Sequence, residues 1–89
     1  MRTIIFKSVI ENWRKEFIGL KNNTVREFEV PWDLREELLN NFMAGTIPSL
    51  YIRIVEDHTG DSFTRTVTDV TKFKGLYIIS WGENGNIRG

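Results

Sequence analysis

The chain has no cysteine, a single histidine and two prolines among its 89 residues. Without cysteine, neither a disulfide staple nor a thiolate metal site is available. That fits a reducing compartment, and the expected location is the cytoplasm. No apolar run approaches the ~18 residues of a membrane-spanning helix, and the apolar part of Met1–Lys7 is too short for a signal core. No membrane partner is therefore expected. An excess of charge is missing as well: 12 basic and 12 acidic side chains give a net charge of zero. Proteins that grip nucleic acid through its phosphate backbone carry a clear basic excess. Any binding of nucleic acid must here be local, through a pocket or small patch, or weak with modest salt dependence. Internal repeats and low-complexity segments are absent.

What is present suffices for one modest core. Hydrophobic residues make up 40% and aromatics 12%, and a chain this short does not divide its core. A single domain over 1–89 is expected, with the polar, Gly-rich Gly82–Gly89 as a frayed tail. Thr3-Ile4-Ile5-Phe6 reads as a short buried strand. Ser8 and Glu11 form a capping-box pattern that opens a helix running to Ile18. In it Ile10, Trp13, Phe17 and Leu20 make the apolar stripe, while Arg14, Lys15 and Glu16 fall away from it and read as solvated. Thr24–Val30 reads as a second strand, near an edge or lining a cleft because neither face is purely apolar. Pro31 stops it. Asp33 with Glu36 opens a second helix, with Leu34, Leu38 and Phe42 four apart, Leu39 and Met43 widening the stripe, and Gly45 as its C-terminal cap. From Leu50 the period changes to two. Tyr51–Val55, a polar turn from Glu56 to Asp61, and Ser62–Val70 make a hairpin. Leu76–Trp81 is a final apolar strand. The expected class is α+β: five strands in a small, mixed, curled sheet or partial barrel with two helices, ordered β-α-β-α-β-β-β.

Between the first helix and the second strand lies Gly19-Leu20-Lys21-Asn22-Asn23-Thr24-Val25-Arg26. Gly19 suits the left-handed position just past a helix, and Asn22-Asn23 suit a turn. On the strand, Thr24, Arg26 and Phe28 share one face. Lys21, Thr24 and Arg26 can thus project into one place, and a cation, a hydroxyl and a guanidinium side by side suit phosphate, carboxylate or a nucleobase.

This G-x-K-x-x-T-x-R pattern after an amphipathic helix resembles the signature of ASCH domains, small members of the PUA-like superfamily. The resemblance extends to Thr68-Asp69-Val70 followed by Leu76–Trp81, which looks like the closing strand pair of ASCH-like proteins, many of them from phages. Most of that family holds Glu at the Thr24 position. A Thr there resembles the small ASCH amidohydrolases that deacetylate N4-acetylcytidine, and the resemblance implies catalytic roles for Lys21 and Thr24. It also implies ligand-binding roles for Lys21, Thr24, Arg26 and Tyr77, the last lining the pocket near Lys21. Two departures stand out. A helix from Asp33 to Met43 replaces the family's Gly-Asp turn and strand, and the segment Thr71–Gly75, where the amidohydrolases carry a catalytic Glu, has no carboxylate.

Other residues read as structural. His58, beside Asp57 and Asp61, belongs to a hairpin tip rather than a metal site, and no metal or cofactor is expected. Trp13, Trp32 and Trp81 read as core. Arg65 and Asp69 share a strand face with Phe63 and Val67, poised to pair. Three functions follow. The first is a module binding RNA or a nucleoside in a PUA-like cleft. The second is an amidohydrolase on an acylated pyrimidine nucleoside, for which the acid partner is unidentified. The third is a phage-type accessory protein docking on a host protein through an exposed apolar patch near Trp32 or the second helix.

Overall fold

The computed structural model describes residues 2–82; the expected tail falls outside them except for Gly82. Seven elements follow in the expected order: β1 (Thr3–Ser8), α1 (Ile10–Phe17), β2 (Asn23–Arg26), α2 (Leu34–Ala44), β3 (Tyr51–Glu56), β4 (Ser62–Phe73) and β5 (Leu76–Trp81). The strands form one mixed, curled sheet, a half-barrel in the order β1-β3-β4-β5-β2. β1 runs parallel to β3, and all other pairs are antiparallel. A parallel pair needs a crossover, and here that crossover is the whole segment from α1 through α2.

The concave face carries the core: Ile4, Phe6, Leu50, Ile52, Ile54, Phe63, Val67, Val70, Tyr77, Ile79 and Trp81 are buried, with Leu39 of α2 packed on them. α1 lies on an aromatic cluster. Trp13 stacks on Phe17 at 5.2 Å, both rings meet Phe63, and Trp13 Nε1 donates to the Ile54 carbonyl at 3.1 Å. Trp13 and Trp81 are thus structural, as expected. Tyr77 ties down α2, its hydroxyl lying 2.9 Å from both Glu36 Oε2 and Asn40 Oδ1.

Among the described residues no backbone ladder covers the free edge of β1; side chains from β2 and α2 reach it instead. Arg26 Nη1 donates to the Lys7 carbonyl at 3.1 Å, and Arg35 Nη1 donates to the Ile5 carbonyl at 3.0 Å. Both guanidinium carbons stand 4.7 Å from the Phe6 ring centroid, and Arg35 also covers Phe28 at 5.4 Å. Arg35 is fixed by a two-pronged pair with Asp33, at 3.0 and 2.8 Å. The edge carbonyls are thereby satisfied without an exposed ladder.

Several sequence expectations are corrected. Ser8 does not cap α1: it is the last residue of β1, and the cap position falls to Val9, which makes no side-chain bond. β2 ends at Arg26, short of Val30, because Phe28 leaves the ladder to pack on Phe6 and Tyr77 at 6.0 and 5.4 Å. Asp33 does cap α2, accepting from the Arg35 backbone N–H at 2.9 Å, and Gly45 closes it at φ +79°. The inner face of α2 centres on Leu39, with Leu38 and Phe42 beside it, while Leu34 and Met43 are exposed. Trp32 is not core at all, being 83% exposed. Arg65 and Asp69 do not share a face. A register shift between Val67 and Asp69 inserts an extra residue, turning Asp69 outward and Val70 inward. Asp69 accepts from the Thr71 hydroxyl, whereas buried Arg65 donates to the Thr64 and Phe17 carbonyls. β4 runs on to Phe73, so the closing turn is only Lys74-Gly75, at φ +51° and +83°. Positive φ at both central residues matches the twist of a two-residue hairpin.

Candidate functional site

The site begins at the end of α1. Gly19 takes φ +90°, and the chain turns so that the Lys21 N–H donates back to the Lys15 carbonyl at 3.1 Å. That bond brings Lys21 against the last turn of its own helix, beside Glu16. Pairing of Asn23–Arg26 with Ser80–Tyr77 then sets the faces of β2, with Thr24 inward and 3% exposed, and Val25 outward.

A cavity of about 330 Å³ opens between the two sheet edges on the α1 side. Lys7, Ser8 and Val9 line it from β1 and the helix entry, Asn12 and Glu16 from α1. Lys21, Thr24, Val25 and Arg26 complete the wall. The turn and the short strand therefore bring Lys21, Thr24 and Arg26 to one hollow. Tyr77 is not part of it: that side chain is buried under α2 and bonded to Glu36 and Asn40, so the structure separates it from the other three. Inside the hollow, Arg26 Nε donates to Thr24 Oγ1 at 2.9 Å, which holds the hydroxyl and the guanidinium as one unit.

Glu16 is the residue that sequence reasoning missed. Read as solvated, it is 1% exposed, and neither carboxylate oxygen has a hydrogen-bond partner. Lys21 Nζ stands 3.5 Å from its Oε2. Burial pushes the Glu16 carboxyl above its ordinary value, while the charges of Lys21 and Arg26, with Ser8, pull against that rise. The Arg26 guanidinium is in turn held below its ordinary value, first by burial and then by the charge of Arg35, with Glu16 opposing. The signal that was available is spacing: Glu16 lies three residues after Trp13, which packs on the core, whereas the expected stripe does not reach Leu20, which lies past the end of α1 and is exposed.

The remaining candidates lie elsewhere. His58 sits exposed at the β3–β4 turn, its Nδ1 3.7 Å from Glu56. Glu56 is buried and accepts the His58 and Thr59 backbone N–H groups at 2.9 and 2.7 Å, bonds that hold its carboxyl down to about 2. Among the described residues no three His, Cys, Asp or Glu side chains gather as a metal site, and no helix is long and apolar enough to cross a membrane. Comparison of the chain with protein-family models, with curated proteins and with solved structures finds no match.

Proposed function

We propose that the chain is a divergent ASCH-like domain and that its cavity binds a nucleoside or nucleotide, free or at the end of a short RNA. The observation that carries this reading is the convergence of Lys21, Thr24 and Arg26 on one hollow of about 330 Å³. That volume lies at the lower end of small-molecule sites, and its lining pairs three cations and hydroxyls with the apolar rim of Val9 and Val25. Lys21 and Arg26 would hold phosphate or carbonyl oxygens, and the Thr24 hydroxyl, already fixed by Arg26, would bond a base or sugar edge. Titration of nucleosides, their 5′-monophosphates and short RNA oligomers by calorimetry and by amide chemical shifts tests it. Lys21→Ala is expected to weaken binding at least about tenfold, since a charge-assisted bond contributes about 1.5–3 kcal/mol. Absence of binding by every one of these ligands would overturn the reading.

A second reading, hydrolysis of an acylated pyrimidine nucleoside such as N4-acetylcytidine, is favoured by Glu16. The two-residue closing turn carries no acid, yet a buried carboxylate from α1 stands beside Lys21. Thr24 as nucleophile, Lys21 as base and Arg26 as oxyanion donor is a constellation suited to amide cleavage. Release of cytidine from N4-acetylcytidine, lost in Lys21→Ala and Thr24→Ala, is the readout. A third, docking on a protein partner, is favoured by the exposure of Val30, Trp32 and Leu34.

A further inference from the structure

The lining of the cavity is unbalanced in a specific way. Three cations face it, Lys7 from β1, Lys21 from the turn and Arg26 from β2, against the single carboxylate of Glu16. The cations have weak calls on them. Arg26 spends Nε on Thr24 and Nη1 on the Lys7 carbonyl, and no other bond from its guanidinium is seen among the described residues. Lys21 meets Glu16 at 3.5 Å, longer than a good charge-assisted bond. Glu16 for its part is buried in the cavity wall, with Lys21 at 3.5 Å and the Ser8 hydroxyl beside it and, among the described residues, no well-formed hydrogen bond to either oxygen. A buried carboxylate in that state is costly to keep charged.

We propose that the cavity takes the oxyanion of its ligand, a phosphate or phosphate-like monoester, between Lys21 and Arg26, and that Glu16 is an internal competitor for these cations. The inference rests on the nucleotide reading above and adds what governs it. With Glu16 ionised, Lys21 is partly neutralised and an incoming anion meets a like charge in a poorly screened pocket. When Glu16 takes up a proton, the lining gains one unit of positive charge and Lys21 is released toward the anion. Anion binding therefore draws a proton onto Glu16, and affinity rises as the pH falls. The groups facing Glu16 are Ser8 and Lys7 from β1, Asn12 on its own helix, Lys21 from the turn, and Thr24 and Arg26 from β2, with Arg35 of α2 acting on Arg26. Of these only Glu16 is a carboxyl, so the proton has one place to go. The elevation of the Glu16 carboxyl by burial places the change at a higher pH than an ordinary glutamate would.

Sulfate is the first probe, because it stays fully ionised across the range and any pH dependence belongs to the protein. Calorimetric titration of the wild type from about pH 7.5 to about pH 5 is expected to show tightening, with net proton uptake revealed by buffers of different ionisation enthalpy. His58 does not line the cavity. Glu16→Gln keeps the shape and removes the charge. It is expected to bind sulfate on the order of tenfold more tightly at neutral pH, from unit charges a few ångströms apart at an intermediate effective dielectric, with the pH slope and the proton uptake both gone. Nucleoside 5′-monophosphates should likewise bind Glu16→Gln more tightly than the wild type at about pH 7.5, where the phosphate is mostly dianionic, and nucleosides without phosphate should not. Sulfate affinity independent of pH in the wild type, or unchanged affinity in Glu16→Gln, overturns the inference. If nucleotides still bind in a Lys21-dependent way, the nucleotide reading survives that failure. If neither sulfate nor any nucleotide binds, both fall.

Discussion

Replacement of Arg35 by Ala isolates what the side-chain seam between α2 and the free edge of β1 contributes. The substitution leaves the Asp33 cap in place, because that bond comes from the backbone N–H of residue 35. What goes is the donation to the Ile5 carbonyl, the contacts with the Phe6 and Phe28 rings, and the two-pronged pair with Asp33. An exposed hydrogen bond contributes about 0.5–1 kcal/mol, and each ring contact about 0.5 kcal/mol at a partly exposed site. The ion pair, with 39% and 18% of its side chains exposed, adds less than about 1 kcal/mol. The expected loss is about 2 kcal/mol, or roughly 10 °C in the melting temperature of a domain of this size. Urea unfolding followed by tryptophan fluorescence and by far-UV circular dichroism measures it, with Arg35→Lys as the companion. Lysine keeps the charge without the planar fork, so it should recover less than half of the loss. A loss below about 0.5 kcal/mol in Arg35→Ala, or full recovery by lysine, would refute the seam as a planar, bidentate device.

Two further outcomes follow from the buried carboxylate of the hairpin turn and from the contact of α2 with the sheet. The Glu56 carboxyl is held down to about 2 in the folded chain against an ordinary 4.5, so its stabilising effect is complete above the ordinary value and disappears as the pH falls through about 2; Glu56→Gln should lower the melting temperature at neutral pH, and the gap to wild type should close across that acid range. Leu39, fully buried, anchors α2 on the core, so Leu39→Ala should cost about 2–5 kcal/mol, read from the urea midpoint at unchanged slope.

Much of the architecture is legible in the residues themselves. The glycines at 19 and 45 mark helix ends because the backbone there needs positive φ, and Asp33 marks a helix start because its short carboxylate reaches a free N–H. The element order follows from periodicity together with the capping, proline and turn residues that bound each run. What is not legible has a common cause, namely burial decided by a partner distant in sequence. Glu16 carries a residue type that is solvated by default, and only the approach of β1 and β2 encloses it. Trp32 is the opposite case, an aromatic with every propensity for the core that the turn before α2 leaves outside. The extra residue near Thr68 sits in a Thr-rich strand whose composition gives no sign of where alternation breaks, so the expected pairing of Arg65 with Asp69 dissolves. At the candidate site, the motif places Lys21, Thr24 and Arg26 correctly in one hollow, because all three lie within one helix-turn-strand corner. Tyr77 lies beyond that reach, since α2 claims its hydroxyl through Glu36 and Asn40.

The strand order carries a consequence for how the molecule is made. The three central strands are consecutive in the chain, whereas both flanks, β1 and β2, come from the first 26 residues. On the ribosome those flanking segments emerge first and find nothing to lie against. β1 must wait for β3, and β2 for β5, the last strand among the described residues. The meander joined by the tight Lys74-Gly75 turn is the local, fast-forming part. The amino-terminal segment, with Ile4 and Phe6 bound for the core, therefore has no partner strand until β3 and β5 are available. The cavity walls come from β1, α1 and β2, so their placement depends on β3 and β5, and a chain cut before Leu76 leaves β2 without its pairing strand.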